Sequence, residues 1–566
     1  MSLPLQFIGL YHLDGNSAAD PNGFIASLVH AAGPASYQDA HLVLFGCEQD
    51  RWPGPSMAIG SDAITVLLGD PLLIEGCAEP QARSQALATF RDTLSHQAYD
   101  CLLNAHGSYC GLNYNKATGA LQLFTDKIGI RGVFVARVGD TVLFSSTPTL
   151  LMEIVEPHSA IDQTGITETL AFGFPLADRT RLELCKRLFE AEIVECRPGN
   201  YTRQQYHRWG SDIDQDISLD EAADRANKVF LCAVNDRLKA TGKAAHFAFL
   251  SGGMDSRLIV NALCSTSAAA PITLNVAPAD TLDAKLGNRA ASFFQTNHYA
   301  LPASSESLLL SLDQGVARIQ AEHPGVDNKL WWSGDGGSVG LGYVYLTEKT
   351  GSTGPRSTES LAQALIEHNN WRISERALKN GWRHLGKLPL QGVVDELKRY
   401  AHLPVEKQAF AFLLFNDQRR HLDKHFASLE QRSFDLILPF FDDRFVQQIL
   451  NIPTTHLLLH RLYNKLFSRH FPANHDIPWQ AYPGHEPCPF PDDTSGRYQW
   501  DEWADRSSIR SAQKKAAGTA LRTLVSGKTP EQVSSLNLLL ASLITYFGAR
   551  DMRYVLEVSE HFKDKR

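Results

Sequence analysis

The sequence has no excess of basic residues and no long apolar run. Its 566 residues include 54 Lys and Arg against 62 Asp and Glu, a net charge of −8, so no nucleic acid is expected as the main partner. The most apolar stretch, residues 536–547, is interrupted by polar side chains and is shorter than the ~20 residues that span a bilayer. It predicts a buried helix. The first residues lack the basic and apolar regions of a signal peptide. We therefore expect a cytoplasmic chain without a membrane partner.

Cysteine and histidine also lack the spacings that hold metals or build disulfide frameworks. The nine cysteines contain no CxxC pair, and the 21 histidines contain no HExxH. The cysteines thus predict neither a disulfide scaffold nor a structural zinc site. No metal site is predicted from Cys or His.

The pattern of apolar and polar residues changes near residues 209–217. Before this stretch, short apolar or alternating runs separated by turn residues predict antiparallel strands, with one helix at about 81–94. The predicted strands lie at 5–11, 41–47, 63–68, 107–114, 121–124, 133–138 and 142–145. The boundary divides the chain into domains 1–212 and 213–566.

After the boundary, strands alternate with helices. Residues 218–238 predict an amphipathic helix capped by Ser218. Strands are predicted at 246–250 and 272–276, and helices at 255–264 and 283–294. Such alternation predicts a parallel α/β sheet. From about residue 361 onward, nearly all segments are predicted to be helical. The aromatic residues around Trp331 and Trp332 are predicted to lie in the hydrophobic core.

The strongest chemical signal is Ser-Gly-Gly-Met-Asp-Ser at 251–256, between an apolar strand and a helix. Two glycines allow the backbone to approach an anion closely, and the amides at a helix N-terminus point toward it. Phosphate alone would repel Asp255, so its presence suggests a bridging Mg²⁺. No Gly-Lys-Ser/Thr follows, so this is not a Walker A loop. A turn that merely needs glycine is the alternative.

This loop resembles the pyrophosphate loop of the N-type ATP pyrophosphatases. The whole chain resembles the glutamine-hydrolysing asparagine synthetases and their relatives, β-lactam synthetase and the lasso-peptide cyclases. The motifs that carry the resemblance are residues 121–131 (LQLFTDKIGIR), 142–146 (VLFSS), 198–201 (PGNY), 332–338 (WSGDGGS), 439–442 (PFFD) and 465–469 (KLFSR).

The resemblance implies an N-terminal Ntn-hydrolase-like β-sandwich, a degenerate class II glutamine amidotransferase-like domain. A PP-loop ATP pyrophosphatase domain follows, with a parallel α/β sheet and a helical C-terminal part. The implied cofactors are ATP and Mg²⁺, with the metal held by Asp255 and Asp335. Asp255, Asp335 and Lys465 are the implied catalytic residues. The implied nucleotide-binding residues are Leu250, Ser251, Gly252, Gly253, Asp255, Ser256, Gly334, Asp335 and Gly336.

Several positions depart from the family pattern. The glutaminase nucleophile of that family is a cysteine directly after the initiator Met, and here the residue is Ser2. A hydroxyl is a far poorer nucleophile than a thiol, so no glutaminase activity is expected. The second metal-binding Asp falls at Ser338, an Arg falls at Ile437, and a late catalytic Lys falls near Tyr482.

The expected function is therefore that of an AMP-forming ligase. It would adenylate a carboxylate and couple it to an amine on a small molecule or a peptide, with peptide macrocyclisation of the lasso-cyclase type as one such reaction. One alternative is an asparagine-synthetase-like amidating enzyme that uses ammonia. Another is a non-catalytic nucleotide-binding homologue. We expect the protein to form a homodimer or to associate with a biosynthetic partner. The side chain of Arg257 is expected either to reach a phosphate or to point to solvent.

Overall fold

The structure is a computed structural model that describes residues 7–15, 20, 22–46, 51–74, 79–242, 245–266, 270–303, 308–326, 329–342, 346–351, 357–429, 432, 434–471, 477–479 and 506–562. Within these ranges, every helix is too short or too polar to cross a lipid bilayer. Ser2 and Tyr482 lie outside them.

The N-terminal region contains two six-stranded antiparallel sheets. Its strands are β1 (Phe7–His12), β2 (Tyr37–Gln38), β3 (Leu42–Gly46), β4 (Met57–Ile59), β5 (Ala63–Gly69), β6 (Leu72–Leu73), β7 (Ala105–His106), β8 (Tyr109–Asn115), β9 (Ala120–Thr125), β10 (Phe134–Val138), β11 (Thr141–Ser145), β12 (Cys185–Arg187), β13 (Glu192–Arg197) and β14 (Asn200–Gln205). The strand orders are β12-β10-β11-β1-β3-β2 and β14-β13-β9-β8-β5-β4, and β6 pairs with β7.

These two sheets form the middle layers of a four-layer sandwich. Apolar side chains from both inner faces, such as Leu44, Leu112 and Phe144, form one core. Helices α1 (Phe24–Ala32) and α4 (Pro148–Val155) cover the outer face of the first sheet, and α2 (Arg83–Ser95) and α3 (Asp100–Asn104) cover that of the second. Both faces of each sheet are thus buried, which explains why the central strands read as nearly continuous apolar runs.

The C-terminal region is built around a five-stranded parallel sheet. Its strands are β15 (Phe247–Phe249), β16 (Ile272–Ala277), β17 (Asn297–Pro302), β18 (Leu330–Trp332) and β19 (Asp435–Ile437). Their spatial order is β17-β16-β15-β18-β19, and every neighbouring pair is parallel. Trp331 and Trp332 are fully buried, as expected for core residues.

Helices account for most of the remaining structure. They are α5 (Gln163–Phe172), α6 (Leu219–Thr241), α7 (Met254–Thr266), α8 (Leu282–Phe294), α9 (Leu308–Glu322), α10 (Gly337–Gly342), α11 (Thr358–Asn369), α12 (Leu388–Arg399), α13 (Val405–Phe412), α14 (Arg419–Leu429), α15 (Asp443–Leu450), α16 (Thr454–Leu457), α17 (Arg461–His470), α18 (Arg506–Val525), α19 (Ser535–Phe547) and α20 (Arg553–His561). A π-helical turn, Leu413–Gln418, joins α13 to α14.

The predicted change from antiparallel strands to a parallel α/β sheet is confirmed. Ser218 caps α6 by accepting a hydrogen bond from the Glu221 amide, as predicted. The short strands β17, β18 and β19 were not predicted. The prediction of a buried helix at 536–547 is wrong in one respect: α19 buries one face against α18 and α20, but Leu536 is 66% exposed and Phe547 is 74% exposed.

Buried ion pairs join the two regions. Arg237 of α6 donates to Asp70 at 2.8 Å and to Asp442 at 2.9 Å, and all three side chains are almost fully buried. Arg131 donates to Asp435 at 2.6 Å. Buried carboxylates of this kind need a partner at short range, so each region supplies charges that the other requires.

Candidate active site

The candidate site lies where the parallel sheet reverses its strand order. β15 and β18 are adjacent, but their connections leave in opposite directions, toward β16 and toward β19. Ligands of open α/β sheets bind in the crevice beyond the carboxyl ends of such strands. A cavity of about 330 Å³ opens at this position. Its lining residues are Phe249, Ser251, Asp255, Ser256, Ser333, Gly334, Asp335, Gly336, Ser338, Val339, Asp417, Gln418 and His421.

The first wall is the loop between β15 and α7. The hydroxyls of Ser251 and Ser256 lie 2.9 Å apart, and the Ser251 amide donates to Ser256 Oγ at 2.9 Å. The Gly252 amide donates to Asp283 at 3.0 Å, and Asn275 donates to the Leu250 carbonyl at 2.9 Å. The loop is therefore fixed before any ligand binds, with the amino end of α7 at the cavity.

The second wall is the loop between β18 and α10, which packs against the first. A Cβ on Gly334 would lie 2.5 Å from the Ser256 amide nitrogen, and one on Gly337 would lie 2.8 Å from the Asp255 carboxyl. Gly336 has a φ of +90°, and a Cβ there would meet the Phe441 ring at 2.7 Å. Glycine is required here because two backbones approach each other closely.

Asp255 is held by hydroxyl groups from two other elements. Ser338 Oγ lies 2.9 and 2.7 Å from its two carboxylate oxygens, and the Tyr463 hydroxyl donates to Oδ1 at 2.6 Å. Burial raises the pKa of the Asp255 carboxyl, these two donors oppose the rise, and nearby Asp335 adds to it. Tyr463 was not singled out in the sequence, because its contact with Asp255 depends on how α17 packs.

Asp335 is directed toward two histidines of α14. Its Oδ2 lies 3.7 Å from His425 Nδ1 and accepts a hydrogen bond from Ser333 Oγ at 2.7 Å. The rings of His421 and His425 lie 4.5 Å apart. Burial alone would raise the pKa of Asp335, but His425 and Ser333 hold it below its usual value.

This geometry bears on the expected Mg²⁺ site. Asp255 Oδ1 lies within hydrogen-bond distance of both the Ser338 and the Tyr463 hydroxyl, whereas Oδ2 is approached only by Ser338, so a lone pair of Oδ2 stays open to a cation. Asp335 faces imidazoles, whereas Mg²⁺ prefers oxygen ligands. The side chains therefore do not fit a two-carboxylate Mg²⁺ site as they stand, and no step below depends on one.

The cavity is acidic. Asp255, Asp335 and Asp417 line it, and none of the thirteen described residues in its lining is Lys or Arg. Burial also raises the pKa of Asp417. A polyphosphate entering this cavity would therefore need a cation to offset the repulsion between like charges.

Lys465 does not join the other predicted site residues. Its ammonium group pairs with Asp220 of α6 at 2.7 Å, and Arg469 of the same helix pairs with Asp224 at 2.5 Å. The side chains of Lys465 and Arg469 thus form surface ion pairs between α17 and α6. A catalytic role for Lys465 is not supported by this position, because its charge is already paired away from the cavity.

Two further positions differ from expectation. Arg257 neither lines the cavity nor points to solvent: it is fully buried and donates to the carbonyls of Ile477 and Pro478 at 2.8 and 3.1 Å. Ile437 is buried in β19. Asp435 of the same strand, the acidic residue of the altered motif, pairs instead with Arg131 and with Trp52 Nε1 at 2.8 Å.

The third wall was missed by sequence reasoning. It comes from the π-helical turn and from α14, which supply Asp417, Gln418 and His421 to the cavity. Such π turns occur frequently at functional sites. The i, i+4 spacing of His421 and His425 could have been recognised in the sequence, because it places both side chains on one face of a helix.

The N-terminal region holds α14 in place. Arg187 of β12 donates to Asp423 at 2.8 Å, and Arg419 donates to the Gly129 carbonyl at 3.0 Å. Arg420 donates to the carbonyls of Ala177 and Arg179 at 2.9 and 2.8 Å. One side of α14 is thus bound to the sandwich while His421 faces the cavity.

Comparison with known proteins identifies part of the chain. Residues 91–207 match the family described as a glutamine amidotransferase domain. The N-terminal region therefore contains an amidotransferase-type domain. The match covers less than half of the chain and does not extend to the cavity, and no curated protein matches the sequence.

Solved structures show only distant similarity. One is the glutamine phosphoribosylpyrophosphate amidotransferase of B. subtilis in complex with ADP and GMP, at 11% identity and a TM-score of 0.23, covering 54% of this chain and 87% of that chain. Another is described as the allosteric regulatory enzyme of purine biosynthesis, at 11% identity and a TM-score of 0.22, covering 65% and 74%. Scores this low carry no argument about function.

The described cysteines of the amidotransferase-type domain are all buried. They are Cys101, Cys110, Cys185 and Cys196. Burial raises the pKa of Cys101, Cys110 and Cys185 to about 12 and raises that of Cys196 as well. Because the thiolate is the reactive form, burial makes these four thiols poor nucleophiles.

Proposed function

We propose that the protein is an ATP-dependent ligase that forms amide bonds and releases AMP and pyrophosphate. The observation that carries the proposal is the polar cavity between two glycine-rich loops at the reversal of strand order. Its first wall has the strand, Ser-Gly-Gly-Met-Asp-Ser loop and helix of a PP-loop site. Its volume, about 330 Å³, lies within the ~300–1,000 Å³ typical of small-molecule pockets.

The proposed reaction has two steps. A carboxylate oxygen of the first substrate attacks the α-phosphorus of ATP, the bond to the bridging oxygen breaks, and pyrophosphate leaves. The nitrogen of an amine then attacks the acyl carbon, the bond from that carbon to the AMP oxygen breaks, and the nitrogen loses a proton. The hydroxyls of Ser251 and Ser256 and the first amides of α7 are placed to bind the leaving pyrophosphate.

In this proposal the amidotransferase-type domain is a scaffold. The four buried cysteines support this role, and so do the contacts through which the domain holds α14. The amine would then be carried by a small molecule or a peptide, and macrocyclisation of a peptide is the case in which both groups belong to one substrate.

A second candidate is transfer of amide nitrogen, with ammonia or glutamine as the nitrogen source. The family match over residues 91–207 favours it. The two candidates differ in the amine that they use, not in the activation of the carboxylate.

The test is product analysis on the purified full chain with Mg²⁺-ATP and separate pools of amino acids, short peptides, ammonium and glutamine. The proposal predicts AMP and pyrophosphate in equal amounts with one pool and little of either after Asp255→Asn, because this variant lacks the carboxylate that would hold the cation accompanying ATP. The matched control Asp92→Asn changes an exposed carboxylate and should be as active as the wild type. Formation of ADP and phosphate, or no nucleotide binding at all, would contradict the proposal. Glutamate release coupled to AMP formation would favour the second candidate. ATP binding without turnover in any pool would favour a non-catalytic homologue.

A further inference from the structure

A second cluster of polar side chains borders the cavity and has no part in the reaction described above. It consists of Asp335, from the loop after β18, and His421 and His425, one turn apart on α14. The potential ligand atoms of these three side chains all lie within 4.8 Å of one another. We propose that Asp335, His421 and His425 bind a divalent transition metal ion of the Zn²⁺ type.

The ligand chemistry favours zinc over magnesium. Two imidazoles and one carboxylate suit Zn²⁺, and imidazole nitrogen is a poor ligand for Mg²⁺. Two histidines at i and i+4 on one helix face are a recurrent zinc-binding arrangement. Ser333 donates to Asp335 Oδ2 at 2.7 Å, which orients the carboxylate as outer-shell partners do in metal sites.

The three side chains would have to move little to bind a metal ion. With metal–ligand bonds of about 2.0–2.2 Å, tetrahedral ligand atoms lie about 3.3–3.6 Å apart. The contact between Asp335 and His425 is already 3.7 Å. His421 is exposed and His425 is 39% exposed, so their side chains have room to close the remaining gap of about 1 Å.

The position of the cluster gives such an ion a role. Asp335 and His421 both line the cavity, so a fourth coordination position would face it, as in zinc sites that have three protein ligands. The ion would add positive charge to a cavity whose described lining contains three carboxylates and neither Lys nor Arg. It would thus attract an anionic group of a bound ligand. Binding of the ion itself does not depend on the proposed ligase reaction.

The alternative is an ion pair between Asp335 and a protonated His425, with no metal. Such a pair leaves His421 without a function in the cluster and predicts no stoichiometric metal binding. Metal titration therefore separates the two.

The experiment is a titration of the chelator-treated full chain with Zn²⁺ against a chromophoric competitor, followed by Co²⁺ substitution and absorption spectroscopy. We expect one ion per chain and a Co²⁺ spectrum typical of nitrogen and oxygen ligands. Loss of even outer-shell partners costs roughly 10–100-fold in metal affinity, so His421→Asn, His425→Gln and Asp335→Asn should each weaken binding roughly 100-fold or more. Circular dichroism of the metal-free variants checks their folding.

The matched control is His368→Asn, which changes an exposed histidine on α11 and should leave the affinity unchanged. Absence of stoichiometric binding in the wild type would overturn the proposal. Binding that survives substitution of His421 and His425 would also overturn it, because the ion would then lie elsewhere.

Discussion

The two regions of this molecule use their polar groups in opposite ways. The amidotransferase-type region buries the four of its cysteines that the structure describes and uses charged side chains, such as Arg131 and Arg187, to bind the C-terminal region. The C-terminal region instead exposes three carboxylates, several hydroxyls and a histidine in one cavity. Under the proposed function, one region serves mainly for contacts and the other holds the chemistry, which is why function is argued here from the site and not from the fold.

The largest expected effect on ATP binding concerns the close approach of the two cavity loops. Gly334→Ala places a methyl group 2.5 Å from the Ser256 amide nitrogen, so the loops must separate. We expect ATP binding to weaken by roughly 100-fold or more, as for misplacement of a binding group by about 1 Å. Equilibrium binding of a fluorescent ATP analogue measures this effect.

Gly340→Ala is the matched control on the neighbouring helix, because its Cβ would meet only Phe445, at 3.4 Å. Equal binding by both variants would show that the cavity between these loops is not the nucleotide site.

The second effect concerns the contact between the regions. Arg237→Ala leaves Asp70 and Asp442 buried without their shared cation, which should cost about 3–5 kcal/mol of unfolding free energy. Chemical denaturation measures this cost. Arg225→Ala on the same helix removes only exposed ion pairs with Asp214 and Glu221 and should have little effect. If the two variants were equally stable, the ion pairs would not join the regions energetically.

The third prediction tests whether the sandwich positions the third wall of the cavity. Arg187→Ala removes the anchor of Asp423 on α14, and we expect a weaker affinity for ATP, by roughly tenfold, as the third wall loosens. Lys186→Ala on the same strand removes a partly exposed pair with Asp162 and serves as the control. Unchanged affinity in Arg187→Ala would mean that the sandwich does not position the cavity.

The smallest expected effect is an absence of reaction. Because burial raises the pKa values of Cys101, Cys110 and Cys185 to about 12, these thiols should resist iodoacetamide in the native protein at pH 7. Cys232, which is exposed, should react. Peptide mapping by mass spectrometry distinguishes the positions. Rapid labelling of one of the three would reopen the possibility of a thiol nucleophile in the amidotransferase-type domain.

The parts of the site that are local in sequence could be predicted. A strand, two glycines and a helix within ten residues specify the loop of Ser251 to Ser256 and its position at the sheet edge. The second loop was identified through the resemblance of residues 332–338 to a glycine-rich segment of the family. The antiparallel strands of the first region and the parallel α/β sheet of the second followed from the apolar runs and turn residues, whereas the β-sandwich was implied only by the family resemblance.

The parts that depend on packing could not be predicted. Tyr463 reaches Asp255 because α17 packs against α10. Asp335 meets His425 because α14, which follows the π-helical turn, lies beside the loop after β18. The motif of Lys465 does not show which helix face the side chain occupies, and in the structure its ammonium group pairs with Asp220. The helix α19 was predicted to be buried, but one of its apolar faces is exposed. Its apolar composition does not show how many neighbouring helices cover it.

The most direct test of the central comparison is hydrogen–deuterium exchange of the full chain with and without α,β-methylene ATP. The account predicts protection confined to peptides that cover 247–257, 330–342 and 413–425, with no change across 91–207. Protection within 91–207, or none at the two glycine-rich loops at saturating nucleotide, would contradict it.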